Sequence, residues 1–184
     1  MIFRIARMKR IIKRWQNYKN SASGTALVEA ALLIPVMLTL LMGAVDIGTG
    51  IVLSQRTVSA SQTGADLMAR NVEVGDSEIE NIIDGAELVF EPYAAGAAFG
   101  IDIVSVQFNA SGNANVVCRE TRNMSPNDEA IESVDGLGTA GEGMVIVTVQ
   151  YQYEPYFASI FIPDFTFREV AFTRGRRSAV VNCV

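Results

Sequence analysis

From Thr25 to Gln55 the chain contains no lysine or arginine, and residues 26–53 read ALVEAALLIPVMLTLLMGAVDIGTGIVL, charged only at Glu29 and Asp46. Twenty-eight helical residues rise about 42 Å, whereas the hydrocarbon core of a bilayer is about 30 Å thick. A soluble chain of 184 residues has little interior in which to bury such a helix on every side. The run is therefore read as a membrane span over about 26–53. A secretory signal peptide fits less well. Its apolar region is about 7–15 residues long and ends at a small-x-small site, and here the run continues well beyond that length, with Asp46 inside the stretch 44–48 that would have to serve.

Charge orients the span. Residues 1–24 hold seven basic side chains (Arg4, Arg7, Lys9, Arg10, Lys13, Arg14, Lys19) and no acid, leaving 8 basic and 20 acidic groups, a net of −12, on residues 25–184. Cations before a span hold that end in the cytoplasm, so the acidic body is expected across the membrane. A basic leader also suits nucleic acid, but orientation beside a span explains it more cheaply, and no nucleic-acid partner is expected. The length allows one modest domain beside an anchor. With 0 histidines and 2 cysteines, histidine-ligated zinc, a Ser–His–Asp triad, a Cys–His dyad and a four-thiolate cluster are all ruled out.

Directly after the cations stands Ser23-Gly24-Thr25-Ala26-Leu27-Val28-Glu29. Gly24 has no side chain, so the backbone can lie extended in a protease cleft. A glycine closing a cationic leader, then an apolar helix with Glu as its fifth residue, resembles the substrates of prepilin peptidases. That resemblance implies cleavage of the Gly24–Thr25 bond, with Thr25 as the new amino terminus. A carboxylate at mid-bilayer costs about 2.5–3.5 kcal/mol, so such groups face a partner or mark function. The new ammonium at Thr25, beside the Glu29 carboxylate of a neighbouring subunit, supplies one.

The residues that follow sharpen the likeness. In order they are a glycine, small residues, Val28-Glu29, an apolar run containing Pro35, and Val45-Asp46-Ile47-Gly48, continued by SQRTVSASQTGADLMAR. Over about residues 22–70 this resembles the TadE-like family, minor pseudopilins of the tight-adherence (Flp-type) pilus system. That family carries an acid and a glycine where Asp46 and Gly48 stand. From the residues alone, Asp46 is explained by placement at the far membrane interface. The C-terminal half is similar more loosely, through Tyr-x-Tyr-x-Pro at 151–155, Arg-x-Arg-Arg at 174–177 and a near-terminal cysteine. Ala30 stands where the major Flp pilin has tyrosine, and the chain is far longer than a major subunit, which implies a minor one. The resemblance implies a bacterial inner-membrane, single-pass protein without catalysis or cofactor. Its implied partners are a prepilin peptidase, other pilin or pseudopilin subunits, the pilus assembly platform and membrane lipid. An uncleaved single-span protein with a partner-binding outer domain is the alternative; an enzyme is the weakest reading.

Pro35 removes a backbone hydrogen bond and clashes with the carbonyl of Ala31, which predicts a kink. Gly43, Ala44, Gly48 and Gly50 give the helix a small-residue face, and Ala44-x-x-x-Gly48 would let another helix approach closely. Residues 54–70 keep helix-compatible residues but become amphipathic, with Val58, Ala65, Leu67 and Met68 as the packed face. The chain thus divides into a basic leader (1–24), a long helix (25–70) and an outer head (71–184).

The head is expected to be α+β and pilin-like, with a small antiparallel sheet. Residues 77–88 predict a short helix. Strands are expected at 101–109 and 115–121 around Ala110-Ser111-Gly112-Asn113-Ala114, which is hairpin-turn chemistry. In 145–153 the odd positions (Val145, Val147, Val149, Tyr151, Tyr153) are apolar or aromatic, predicting a half-buried strand. A fourth strand is expected at 165–173, with a bulge between Phe167 and Val170 where its apolar positions change face. An exported location favours a disulfide between Cys118 and Cys183 over two free thiols.

Eight of the 15 aromatic residues fall between Tyr151 and Phe172. The apolar segment 156–163 has two readings, core beneath the sheet or an exposed patch for a partner or membrane; a charge at Phe161 would separate them. Gly136-Leu137-Gly138-Thr139-Ala140-Gly141 spells GxGxxG, yet a strand rather than a helix is expected after it, so it reads as a flexible loop. Asp128, Glu129, Glu132 and Asp135 lack calcium-loop spacing.

Overall fold

The computed structural model describes residues 22–93, 95–159 and 163–184. The chain forms two compact units, Met1–Val45 and Asp46–Val184. Helix α1 (Ala22–Ala69) contributes to both and includes Pro35. The described part of the first unit consists of the opening turns of this helix. Leu27, Val28, Leu32, Leu33, Met37 and Leu41 are each more than half exposed there. A helix that is apolar all round and left uncovered by the described residues is unsuited to water and suited to lipid. α1 is long and apolar enough to cross a membrane.

In the second unit the elements after α1 are β1 (Glu73–Val74), α2 (Asp76–Glu87), β2 (Phe99–Phe108), β3 (Ala114–Arg122), α3 (Asp128–Glu132), β4 (Gly143–Tyr153), β5 (Phe165–Thr173) and β6 (Asn182–Cys183). β3-β2-β4-β5 make a four-stranded sheet whose pairings are all antiparallel. With the long helix, this is the α+β architecture expected from the sequence.

Local chemistry sets these elements. β2 and β4 are rich in β-branched residues, which suit a pleated, packed surface. The hairpin between β2 and β3 closes on Asn109, whose Oδ1 accepts the N–H groups of Ser111 at 2.9 Å and Asn113 at 3.0 Å. Gly112, at φ +81°, takes the left-handed position of that turn. α2 begins with Asp76 and Glu78 at its positive end, where Glu78 accepts the Gly75 N–H at 3.2 Å. Its buried Ile79, Ile82, Ile83 and Ala86 follow helical spacing and make one stripe.

The main core lies between one sheet face and the helices. β4 contributes Val145, Val147, Val149, Tyr151 and Tyr153, all buried there, as the alternation predicts. α1 contributes a buried stripe of Leu53, Thr57, Ala60, Ser61, Gly64, Ala65 and Met68. Ala65 and Met68 agree with the predicted face, while Val58 and Leu67 are only half-buried. The stripe is made mainly of small residues because the helix runs close to the sheet: a Cβ on Gly64 would lie 3.3 Å from Val147 Cγ1. Phe90 closes one end, stacked on Tyr151 at 4.8 Å between ring centroids.

Two expectations are corrected. β4 is not half-buried: Met144, Ile146 and Thr148 on its second face are buried as well. Ala130 of α3 and Val134 pack there with Val104, Val106 and Phe108, forming a second core. The bulge is not in β5 either, because β4 and β5 pair without interruption from Val145↔Thr173 to Tyr153↔Phe165. The register break lies in the β2–β3 pair, between Ser105 and Val106. Covering the sheet on both sides explains the pattern in β5: Phe167 and Ala171 reach the main core, and Val170 reaches the second.

Cys118 and Cys183 are disulfide-bonded, with Cα atoms 5.8 Å apart and a sequence separation of 65. The tail is held besides by β6 pairing parallel with β1. Ser105 Oγ also donates to the Val181 carbonyl at 2.7 Å.

Candidate functional site

Asp46 is the first residue of the second unit and sits at the head of the buried stripe of α1, four residues before Gly50. Its side chain is buried (6 % exposed). The carboxylate is met by three consecutive backbone amides of the loop after β4. Oδ1 accepts the N–H of Tyr156 at 3.0 Å, Oδ2 accepts that of Ala158 at 2.7 Å, and the Phe157 N–H reaches both, at 3.3 and 3.0 Å. Successive N–H groups converging on one anion form a concave nest. Hydrogen bonds to a charged acceptor are about twice as strong as neutral ones. The carboxylate is thereby satisfied by main-chain dipoles.

Tyr153, the last residue of β4, completes the arrangement by donating its hydroxyl to the Asp46 carbonyl at 2.9 Å. Gly50 lies directly beside it: a Cβ there would be in ordinary contact, 3.6 Å from the Tyr153 ring. Burial pushes the Tyr153 hydroxyl above its ordinary value, and the charge of Asp46 and the nearby Tyr156 add to the rise. It therefore remains a proton donor throughout the physiological range. Beside this junction Ile47, Gly50, Ile51, Tyr153, Phe165 and Phe167 line a groove of about 460 Å³. Pro155 is buried, whereas Tyr156 and Phe157 are exposed. Phe161, with Ile160 and Ile162, lies outside the described residues.

A second polar cluster lies on the opposite sheet face. Asp102 is buried (1 % exposed). It accepts Arg119 Nε at 2.9 Å, Arg119 Nη2 at 2.6 Å, the Thr121 hydroxyl at 2.8 Å and the Asn127 N–H at 2.9 Å. Burial raises its pKa, but the bonds from Arg119, Asn127 and Thr121 outweigh it and hold the carboxyl below its ordinary value. Asn127 Nδ2 donates to Thr148 at 3.1 Å, and Arg119 Nη1 to Asp128 at 2.6 Å. With its acceptor positions occupied, Asp102 is a clamp that fastens the 123–135 segment over the sheet, and not a general base. Among the described residues, no group of three or more His, Cys, Asp or Glu is arranged to hold a metal ion.

The sequence-derived residues fall in both units. Gly24, Thr25, Glu29, Pro35 and Gly43 belong to the first, where Thr25 and Glu29 are exposed in the opening turns of α1. Asp46, Gly48, Cys118 and Cys183 belong to the second. Gly48 is exposed, with open space where a side chain would stand. Sequence reasoning missed Tyr153, the amides at 156–158 and the Asp102 clamp. The pattern Tyr-x-Tyr-x-Pro was visible, but nothing in it names Asp46 as its partner.

Residues 24–66 match the family model for TadE-like protein. Over that stretch the chain is similar to TadE-like proteins. The match starts at Gly24, contains Glu29, Pro35 and Asp46, and ends on the buried part of α1. No curated protein and no solved structure matches the chain. The TadE-like segment thus takes in the uncovered apolar turns and the first element of the head, while β1 to β6 lie beyond it.

Proposed function

We propose that this chain is a non-catalytic minor pseudopilin of a tight-adherence type pilus. A prepilin peptidase cleaves it after Gly24, and it then takes part in pilus assembly for surface attachment. The observation that carries this reading is the TadE-like match beginning at Gly24 on a helix whose large apolar side chains from Leu27 to Leu41 are exposed among the described residues. Before cleavage the basic leader holds the N-terminus in the cytoplasm, and the head lies on the far side. Cleavage removes the seven cations that resist movement into lipid. It also creates an ammonium on Thr25, which pairs with Glu29 of a neighbouring subunit. The mature helix moves laterally into the assembling pilus, its exposed apolar side chains exchanging lipid for other subunits' helices. Gly43, Ala44 and Gly48 allow close helix approach there.

Intact mass and N-terminal sequencing of the protein taken from source membranes test the reading. A start at Thr25, lost on Gly24→Ala or on removal of the peptidase, is expected. A start at Met1 in the native membrane, unchanged by Gly24→Ala, would establish instead an uncleaved single-span protein with a partner-binding head.

A further inference from the structure

We infer that the loop at 155–159 is a membrane-contact element, which places Tyr156 and Phe157 in the outer headgroup layer of the bilayer that α1 crosses. The inference rests on the membrane-span reading and adds a site on the head to it. Helix length supplies the depth. Of the apolar run 26–53, Leu53 at its far end is already buried in the head, and the twenty helical residues from Ala26 to Val45 alone rise about 30 Å, the thickness of the hydrocarbon core. Asp46 is the next residue, so it stands where hydrocarbon gives way to headgroups. The loop is tied to that residue by three N–H bonds of 2.7 to 3.0 Å, with Tyr153 tied to its carbonyl. Whatever depth Asp46 takes, the loop takes too.

The side chains suit that depth. Tyr156 is 68 % exposed and Phe157 49 % exposed among the described residues, two adjacent aromatic side chains that present ring surface outward. Rings of this kind concentrate at the membrane–water interface. The apolar groove of Ile47, Ile51, Phe165 and Phe167 opens beside the same residue and is suited to the upper part of an acyl chain. The backbone suits it as well. Irregular chain is excluded from lipid because its polar groups have no partners, but the amides of Tyr156, Phe157 and Ala158 are already spent on the Asp46 carboxylate. One arrangement therefore satisfies a carboxylate at the membrane boundary and a loop that would otherwise be too polar to approach it.

Tryptophan quenching in the full-length chain tests this. In a Trp15→Phe background, which removes the single native tryptophan, Phe157→Trp, Tyr156→Trp, Leu41→Trp and Leu137→Trp are each reconstituted in phosphatidylcholine–phosphatidylglycerol vesicles. Emission is compared with and without lipid brominated near the top of the acyl chain. The tryptophans at 157 and 156 are expected to be blue-shifted and strongly quenched, as is that at 41, while Leu137→Trp, on an exposed loop of the head, keeps its emission. Quenching at 41 but at neither 156 nor 157 overturns the loop contact and leaves the span intact. A blue shift at 156 and 157 without lipid quenching also overturns it, showing protein as the cover. Absence of quenching at 41 removes the span and the inference together. Reading positions 156 and 157 in parallel keeps the test decisive if one variant misfolds.

Discussion

The Asp46 carboxylate accepts the backbone N–H of Ala158 at 2.7 Å, joining residues 112 positions apart in the chain. With the neighbouring amides of Tyr156 and Phe157, this bond explains why an acid is tolerated within a long apolar helix. The carboxylate is solvated by the head's own backbone.

Removing that carboxylate should loosen the loop. Asp46→Ala leaves three amides without their acceptor and is expected to lower the stability of the head by about 2–3 kcal/mol. Asp46→Asn, which keeps one acceptor oxygen, should lose less, and Tyr153→Phe about 1 kcal/mol. Denaturant midpoints in detergent, with protease sensitivity of the 154–159 segment, measure these losses. Unchanged midpoints and unchanged cleavage for Asp46→Ala would show that the bonds hold nothing.

Asp102 makes the head acid-sensitive with a definite sign. Its folded pKa lies below the unfolded one, so the native state favours the ionised form. The stabilisation is complete above the unfolded carboxyl value of about 4 and is lost as pH falls through the lower folded value. Asp102→Asn removes the buried charge opposite Arg119, which keeps only the exposed Asp128, and is expected to cost about 2 kcal/mol at neutral pH. It should also flatten the fall in stability below about pH 4. Thermal unfolding followed from pH 7 to pH 3 decides the point, and an equal acid slope in both proteins would refute it.

The two faces of α1 should respond differently to added bulk. Gly64→Leu drives a side chain into Val147, Ala86 and Ile101, and overpacking of that kind costs about 1–3 kcal/mol. Gly48→Leu meets open space and should leave stability unchanged while weakening recovery of the chain with other pilus subunits by crosslinking in membranes. Equal recovery of the Gly48 variant would mean that this face packs against no partner.

The Cys118–Cys183 bond encloses 65 residues of separation, for which the loop-entropy account gives about 4 kcal/mol. Cys118→Ser with Cys183→Ser is expected to lose up to that amount and to expose the tail to carboxypeptidase. The native chain should change mobility on a non-reducing gel when reduced; a chain with two alkylatable thiols before reduction would lack the bond.

Much of this was legible in the sequence for a definable reason. The long apolar helix, the short helix α2, the hairpin turn that follows Asn109 and the inward positions of β4 each follow from patterns a few residues long. Hydropathy period and turn chemistry act over that range. The α1 packing stripe was read incompletely because hydrophobicity was sought at its contact face. What a close helix–sheet approach selects at Ala60, Ser61 and Gly64 is small size.

The amino-acid sequence by itself determined a long apolar helix, a stretch around Gly24, Glu29 and Asp46 that is similar to TadE-like proteins, and an α+β head with its two cysteines joined. Only the tertiary structure decided that Asp46 belongs to the head, that Tyr153 and the 156–158 amides receive it, and that residues 127–134 cover the second face of the sheet. The difference lies in range. A period or a turn is enforced by neighbours along the chain, whereas a buried carboxylate takes whichever donors the fold delivers, and these come from more than a hundred residues away.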